Sequence, residues 1–168
     1  MTNKEVLKFI AGFRKFRDRY FNDDDSVYRR VLQGGQSPKT MIIACSDSRV
    51  DPAMLSGASP GEIFVVRNVA NLVPPFEVQG RFHGVSSAIE FAVENIRVEN
   101  IIVLGHRQCG GIRSLMLNQN KPTSSSSFVS RWMEIARDAK EKVLAANPPA
   151  TSPEEEDVLC RQIGRAHV

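Results

Sequence analysis

Met41-Ile-Ile-Ala-Cys45-Ser-Asp47-Ser-Arg49-Val50 carries the strongest fold signal in this 168-residue chain. Its first four residues are all apolar, which predicts a short buried strand. A thiol (Cys45), a carboxylate (Asp47) and a guanidinium (Arg49) follow at alternate positions. Open α/β folds place their chemistry at the carboxyl ends of parallel strands, so this order predicts a functional site at that edge of a sheet.

A second segment repeats the pattern. Ile101-Ile-Val-Leu104 is apolar, and Gly105-His106-Arg-Gln-Cys109-Gly-Gly111 follows directly. A lone cysteine after a strand is usually only a small buried hydrophobe. Here two predicted strands deliver Cys45, His106 and Cys109 to one edge, and two thiolates with an imidazole suit zinc. Tetrahedral geometry leaves one position for Asp47 or for water.

The order of elements predicts the fold class. Ile63-Phe-Val-Val66 is a third apolar strand, and helical patterns over 84–96 and 110–118 alternate with the strands. This alternation predicts parallel βαβ units with right-handed crossovers. We therefore expect a single α/β domain over residues 1–168, with a central, mainly parallel sheet of about four strands flanked by helices.

The two strand-end motifs together resemble those of the β-class carbonic anhydrases. The similarity continues through Pro60–Asn71 and Gly84–Val93 and covers roughly residues 30–117. The resemblance implies zinc-dependent, reversible hydration of carbon dioxide to bicarbonate and a proton by zinc-bound hydroxide. It also implies one zinc ion per chain, held by Cys45, His106 and Cys109.

The resemblance also assigns roles around the metal. Asp47 and Arg49 lie two residues apart, so in an extended segment they share a face and can pair. In the family this pair acts as a switch: Asp47 either completes the zinc sphere or pairs with Arg49 and frees that position. The substrate cleft would be lined by Gln36, Phe64, Val69, Phe91 and Gly110, although from the residues alone core packing explains the apolar members better.

The N-terminal segment has apolar residues at helical spacing over residues 4–21, with charges between them. The residues alone favour a helix packed on its own core. The resemblance instead implies a helical arm over residues 1–35 that packs on a partner subunit in a homodimer or higher oligomer.

Composition limits the partners and the location. A net charge of +3, without basic residues clustered among stacking aromatics, predicts no nucleic-acid partner. No apolar run has membrane-spanning length, and the first residues lack the apolar core of a signal peptide. Three cysteines without a disulfide spacing predict a reducing compartment, which we take as the cytoplasm.

The last residues carry a separate hypothesis. Residues 163–168 match one translation frame of a common sequencing adapter, so we treat them as a non-native tail in which His167 has no site role. The family's further edge strand would then be missing, and the chain could be a folded but unassembled fragment.

Two other functions remain open at the level of sequence. One is a related zinc hydrolase that acts on a carbon dioxide analogue such as carbon disulfide. The other is a non-catalytic domain that a closed zinc site stabilises, with four ligands: Cys45, Asp47, His106 and Cys109.

Overall fold

A parallel three-stranded sheet forms the centre of the protein, seen in a computed structural model that describes residues 3–21, 27–77, 83–117 and 128–166. The central strand β1 (Thr40–Cys45) lies between β2 (Ile63–Asn68) and β3 (Asn100–Leu104). Both pairings are parallel, as the alternation of strands and helices predicted. All three strands therefore end at the same edge.

Helices connect and cover the strands. The chain enters β1 from two N-terminal helices, and right after β3 a helix begins beside the sheet edge. Their bounds are α1 Lys4–Tyr20, α2 Val27–Gly34, α3 Pro52–Ser56, α4 Gly84–Glu90, α5 Gly110–Leu117, α6 Phe128–Met133, α7 Arg137–Ala146 and α8 Pro153–Ala166.

The core lies on both faces of β1. Residues 41–45 of this strand are at most 6% exposed, so the apolar run is buried from both sides, as is typical of a central parallel strand. Met41 and Ile43 pack with Ala92 in one cluster of buried residues. Cys45, at the carboxyl end of the strand, joins a larger cluster drawn mainly from α5, α7 and α8.

The structure corrects three expectations about these elements. The described residues contain three paired strands, and no fourth strand completes the number expected. The helix predicted over residues 84–96 changes to a wider π-helical form over Phe91–Ile96, and Arg97 ends it with a left-handed φ of 61°. The sequence also predicts one long helix over residues 128–146, but the structure interrupts it with a 3₁₀ turn at Glu134–Ala136. Apolar spacing does not distinguish these helical forms, because it is similar in all of them.

The N-terminal helix is placed differently from the prediction made from residues alone. No residue of α1 is buried in this chain, so α1 does not pack on the domain core. Its C-terminal end contacts α2 through an aromatic group of Phe16, Tyr20, Phe21 and Tyr28. Farther along α1, Phe9 is 73% and Phe13 64% exposed.

The final helix is part of the core. Ile163 is fully buried among the residues of the larger cluster, and α8 continues through Ala166. Ile163, the first residue of the segment expected to be non-native, thus packs in the core, whereas Arg165 and Ala166 are exposed. His167 lies outside the described residues. So do residues 23–26, which the sequence predicts as a helix cap, and the serine-rich residues 122–127, which it predicts as a hinge. None of the helices described has the length and apolar character needed to span a bilayer.

Candidate metal centre

Cys45, His106 and Cys109 meet at the carboxyl edge of the sheet. One ligand atom from each residue lies within 4.8 Å of the other two. Cys45 ends β1, and the other two residues follow β3, which pairs with β1 up to Ala44 and Leu104. The parallel register therefore brings together the side chains that the sequence predicted to share this edge.

The His106 ring is oriented for a metal. Its Nδ1 lies 2.8 Å from the backbone carbonyl oxygen of Arg107, which requires the proton on Nδ1. Its Nε2 is buried and has no hydrogen-bond partner. A buried nitrogen without a partner is costly, and metal-binding histidines usually donate their other ring N–H to a carbonyl or a carboxylate.

The two thiols are also prepared for a cation. Cys45 and Cys109 are 6% and 5% exposed and form no disulfide. Burial raises the pKa of the Cys109 thiol, while the N–H groups of Ile112 and Gly111 at the start of α5 donate to its sulfur and oppose that rise. A divalent cation would stabilise the thiolate further. Two sulfurs and one imidazole nitrogen, all buried, fit zinc.

Asp47 is not a member of this group, because Arg49 holds its carboxylate. The Arg49 Nη2 donates to Oδ2 at 2.8 Å and Nε donates to Oδ1 at 2.9 Å. The Arg49 backbone N–H also donates to Oδ1 at 2.9 Å. These bonds hold the pKa of the Asp47 carboxyl well below its usual range. Of the four predicted ligands, the structure therefore brings three together and leaves the fourth on its arginine.

Arg67 supports the segment that carries Cys45 and Asp47. Its Nε donates to the carbonyl of Cys45 at 3.0 Å, and its Nη2 donates to the carbonyl of Asp47 at 2.7 Å. Its Nη1 pairs at 3.1 Å with Asp51, which caps α3. One side chain from β2 thus fixes the backbone on both sides of Ser46. This role of Arg67 could not be predicted from the sequence, because its partners lie about twenty residues earlier in the chain.

A strained turn lies under the metal centre. Ala70 and Asn71 have positive φ angles of 67° and 49°, which non-glycine residues rarely adopt. The Asn68 side chain bonds both the N–H and the carbonyl of Leu72, closing the turn from the inside. Trp132 donates its indole N–H to the carbonyl of Val69 at 2.7 Å. The surroundings hold this turn in place.

The predicted cleft residues are only partly brought together. The Phe64 and Phe91 rings pack with centroids 6.0 Å apart, and Phe91 and Val69 remain 45% and 40% exposed. Gly110 follows Cys109 directly and begins α5. Gln36 is exposed in the loop before β1. In this single chain the apolar wall is open to solvent.

A cavity of about 580 Å³ lies beside the ligand group, between β3 and α8. Asn71, which is 3% exposed, lines it together with His106, Cys109 and Cys160. Burial raises the pKa of the Cys160 thiol to about 11, so this third cysteine stays protonated at neutral pH. The sequence does not predict that Cys160 lies beside the metal centre, because in the sequence it is only one residue of an amphipathic helix.

The part of the chain that carries these residues matches known proteins. The profile of the family described as carbonic anhydrase matches residues 40–168. A curated relative, beta carbonic anhydrase 6, mitochondrial, from Arabidopsis thaliana, is 46% identical over 136 residues, which are 80% of this chain. The chain spans 46% of that relative's length, just under half.

Solved structures share the fold. The β-carbonic anhydrase CcaA superposes with a TM-score of 0.79 and 27% identity, over 99% of this chain and 71% of that one. A Coccomyxa β-carbonic anhydrase in complex with acetazolamide gives 0.77 and 26%, over 98% of this chain and 68% of that one. Enzymes of this class use zinc, and Cys45, His106 and Cys109 form the group that can hold it among the described residues. The chain therefore belongs to the carbonic anhydrase family, in its β class.

Proposed function

We propose that this protein catalyses the reversible hydration of carbon dioxide to bicarbonate and a proton, with zinc bound by Cys45, His106 and Cys109. One observation carries the proposal: three buried ligand atoms converge, while Arg49 holds the carboxylate that could fill the fourth position. A structural zinc site is closed by four protein ligands, whereas a catalytic site keeps one position open.

Zinc bound here would supply a nucleophile at neutral pH by lowering the pKa of water to about 7. The chain's own residues prepare the place for it. Asp47 stays ionised because Arg49 binds it through both carboxylate oxygens. An ionised carboxylate only accepts hydrogen bonds, so Asp47 favours a proton-bearing molecule at the open position and orients it.

The apolar residues predicted to line the cleft would suit a small apolar substrate. Phe64, Phe91 and Val69 offer carbon dioxide a surface with no competing hydrogen bonds. The Gln36 amide and the Gly110 N–H would donate to the oxygens of bicarbonate once it forms. This division between an apolar wall and a few donors is typical of small-molecule sites.

The exposed apolar residues support a homodimer or higher oligomer. Phe9 and Phe13 on α1 and Phe91 in the predicted cleft are all exposed in the single chain. A second copy that covered them would bury α1 and close the open side of the cleft together. Exposed apolar patches of this kind mark interaction surfaces.

The cytoplasmic location expected from the sequence stays a proposal. Its support is the reduced state of Cys45, Cys109 and Cys160, none of which pairs with another. The Arabidopsis relative is named mitochondrial, so imaging of the tagged full-length protein in its own cells is the test.

The function is tested by offering both substrate classes to one zinc-quantified sample. We expect stopped-flow assays to show carbon dioxide hydration above the buffer rate and no hydrolysis of carbon disulfide. Turnover of carbon disulfide alone would favour the related hydrolase. A zinc-loaded protein that is inactive toward both at every pH would favour the non-catalytic domain.

A further inference from the structure

The loop that carries His106 and Cys109 is tied to α8 by a single carboxylate. Asp157 accepts hydrogen bonds on Oδ2 from the Arg107 Nη2 at 2.9 Å and Nε at 3.2 Å. Its Oδ1 accepts the backbone N–H of Gln108 at 3.3 Å. The Asp157 side chain is only 15% exposed, and Arg161 also faces it, with its Nε 3.7 Å from Oδ2. Asp157 thus binds the loop between the two ligands.

Gln108 links the Asp157 contact to Arg49, in the segment that follows β1. Its φ angle is +55°, in the left-handed region that non-glycine residues seldom occupy without support. Its carbonyl accepts from the Arg49 Nη2 at 3.3 Å, and its side-chain Oε1 accepts from Nη1 at 3.4 Å. The Gln108 N–H is bound to Asp157, and in this turn the backbone and side-chain oxygens of Gln108 both face Arg49.

These contacts form a continuous path to the residue that leaves the metal position open. Arg49 uses Nε and Nη2 to bind Asp47, and Gln108 binds the same guanidinium from the other side. A planar guanidinium with fixed donor directions is held in one orientation when both its edges are occupied. We propose that Asp157 and Gln108 are positioning residues that fix Arg49 where it keeps Asp47 away from the metal.

A simpler role for Asp157 would be an ion pair that fastens α8 to the loop. Pairs with an exposed partner such as Arg107, 69% exposed, contribute little to stability. That role explains the Arg107 contact but gives no reason for the bond to the Gln108 N–H. The positive φ of Gln108 and its two bonds to Arg49 point to orientation of the arginine instead.

The proposal has a measurable consequence. If Arg49 loosens, Asp47 can move from the arginine to the metal, and the fraction of open sites falls. A ligand that needs the open position then binds with an apparent Kd raised by the inverse of that fraction. The proposal rests on the proposed function for the role of Asp47, but its test needs no turnover of carbon dioxide.

The test uses cobalt-substituted protein and thiocyanate, an anion that takes the open position and changes the visible spectrum. We expect Asp157→Ala to raise the Kd of thiocyanate by about fivefold or more, within the usual range of coupling between sites. Glu156→Gln is the matched control. Glu156 lies next to Asp157 on α8 and pairs with Arg113 of α5. The substitution breaks that pair and leaves the 106–109 loop untouched, so the Kd of thiocyanate should stay near that of the unaltered protein.

The decisive step repeats the titrations in an Asp47→Ala background. Without Asp47 no closed state exists, so Asp157→Ala should no longer change the Kd of thiocyanate. The proposal is overturned if the substitution weakens thiocyanate equally in both backgrounds, since Asp157 would then act on the site in general. It is also overturned if the substitution has no effect while Asp47 is present.

Three further variants separate the contacts and secure the test. Asp157→Asn and Arg107→Ala each remove the ion pair but keep an acceptor for the Gln108 N–H, so both should leave the Kd close to the starting value. If Asp157→Ala does not fold, as judged by the melting temperature of the metal-free protein, Gln108→Gly takes its place. Gln108→Gly tolerates the positive φ and loses the side-chain contact to Arg49, and an unchanged Kd would then refute the proposal.

Discussion

Cys45, His106 and Cys109 would each supply one atom to the proposed zinc site. We expect Cys45→Ser, His106→Ala and Cys109→Ser to weaken zinc binding by more than about 100-fold, because even outer-shell substitutions cost about 10- to 100-fold. A hydroxyl is a poor zinc ligand. Chelator competition measures the affinity, and zinc-normalised hydration measures the parallel loss of activity.

Cys160→Ser is the control for those substitutions. Its thiol lines the same cavity but lies outside the ligand group, and its raised pKa of about 11 keeps it protonated. It should keep zinc at the level of the unaltered protein. Full zinc occupancy in Cys109→Ser would remove Cys109 from the ligand set.

Arg49 binds the Asp47 carboxylate, which on the proposed function leaves the fourth position open. Its contact lowers the pKa of Asp47 in the folded protein, so the ion pair is fully formed above the usual carboxyl pKa of about 3.9 and is lost only as the pH falls through the lowered value. In Arg49→Ala, Asp47 is still ionised at neutral pH and is free to bind the metal.

We therefore expect Arg49→Ala to retain zinc and to lose most hydration activity at every pH from about 6 to 9. Arg49→Lys should recover little, because an ammonium cannot bind both carboxylate oxygens as a guanidinium does. Zinc content and stopped-flow rates on the same samples provide the measurement. Native turnover in Arg49→Ala would exclude the Asp47–Arg49 pair from the mechanism.

Sequence alone predicted the ligand group but not the residues that hold it. Cys45, His106 and Cys109 could be predicted because each follows an apolar strand, and parallel strands end at one edge. Arg67 and Asp157 could not, because their partners lie about 20 and 50 residues away in the chain. The pairing of the Asp47 carboxylate with Arg49, and not with the ligand group, could not be predicted either. Spacing along the sequence does not give the distances between side chains.

At the level of elements, the start of α5 packs directly on the strained turn after β2. A Cβ added at Gly111 would lie 2.9 Å from the Ala70 Cβ, 3.0 Å from the Val69 Cγ1 and 3.2 Å from the Met133 Sδ. The Ala70 contact involves a Cβ fixed to backbone, which cannot rotate away. The close approach of α5 to this turn therefore requires glycine.

We expect Gly111→Ala to destabilise the protein by about 1–3 kcal/mol, the usual cost of overpacking. Gly110→Ala is the matched control one residue earlier, where an added Cβ meets no atom within 4 Å. Thermal unfolding of both variants measures the difference. Equal melting temperatures would show that the turn at Ala70 yields without cost.

The elements themselves were predicted better than their details. All three apolar segments are strands, and α5 begins beside Cys109 as the glycines and apolar spacing indicated. The π-helical turn at Phe91–Ile96 could not be predicted, since one extra residue in a helical turn leaves the apolar pattern almost unchanged. Such details depend on packing against the sheet.

At the scale of the whole molecule, α1 is an amphipathic helix whose apolar residues are not buried by their own chain. We expect the double substitution Phe9→Ser and Phe13→Ser to weaken self-association by at least about 100-fold, since each buried phenylalanine contributes about 1.5–3 kcal/mol. Arg14→Ser, which alters an exposed charge on the same helix, is the control. Multi-angle light scattering at several concentrations follows the change; a monomer before substitution would contradict the proposed oligomer.

The central claim is that one zinc ion at an open three-ligand site makes this chain a carbon dioxide hydratase. Its most direct test adds zinc stepwise to the metal-free protein while stopped flow records carbon dioxide hydration. We expect the rate to rise in proportion to zinc and to stop rising at one equivalent per chain. A zinc-saturated chain that hydrates carbon dioxide no faster than buffer, at any pH, would contradict it.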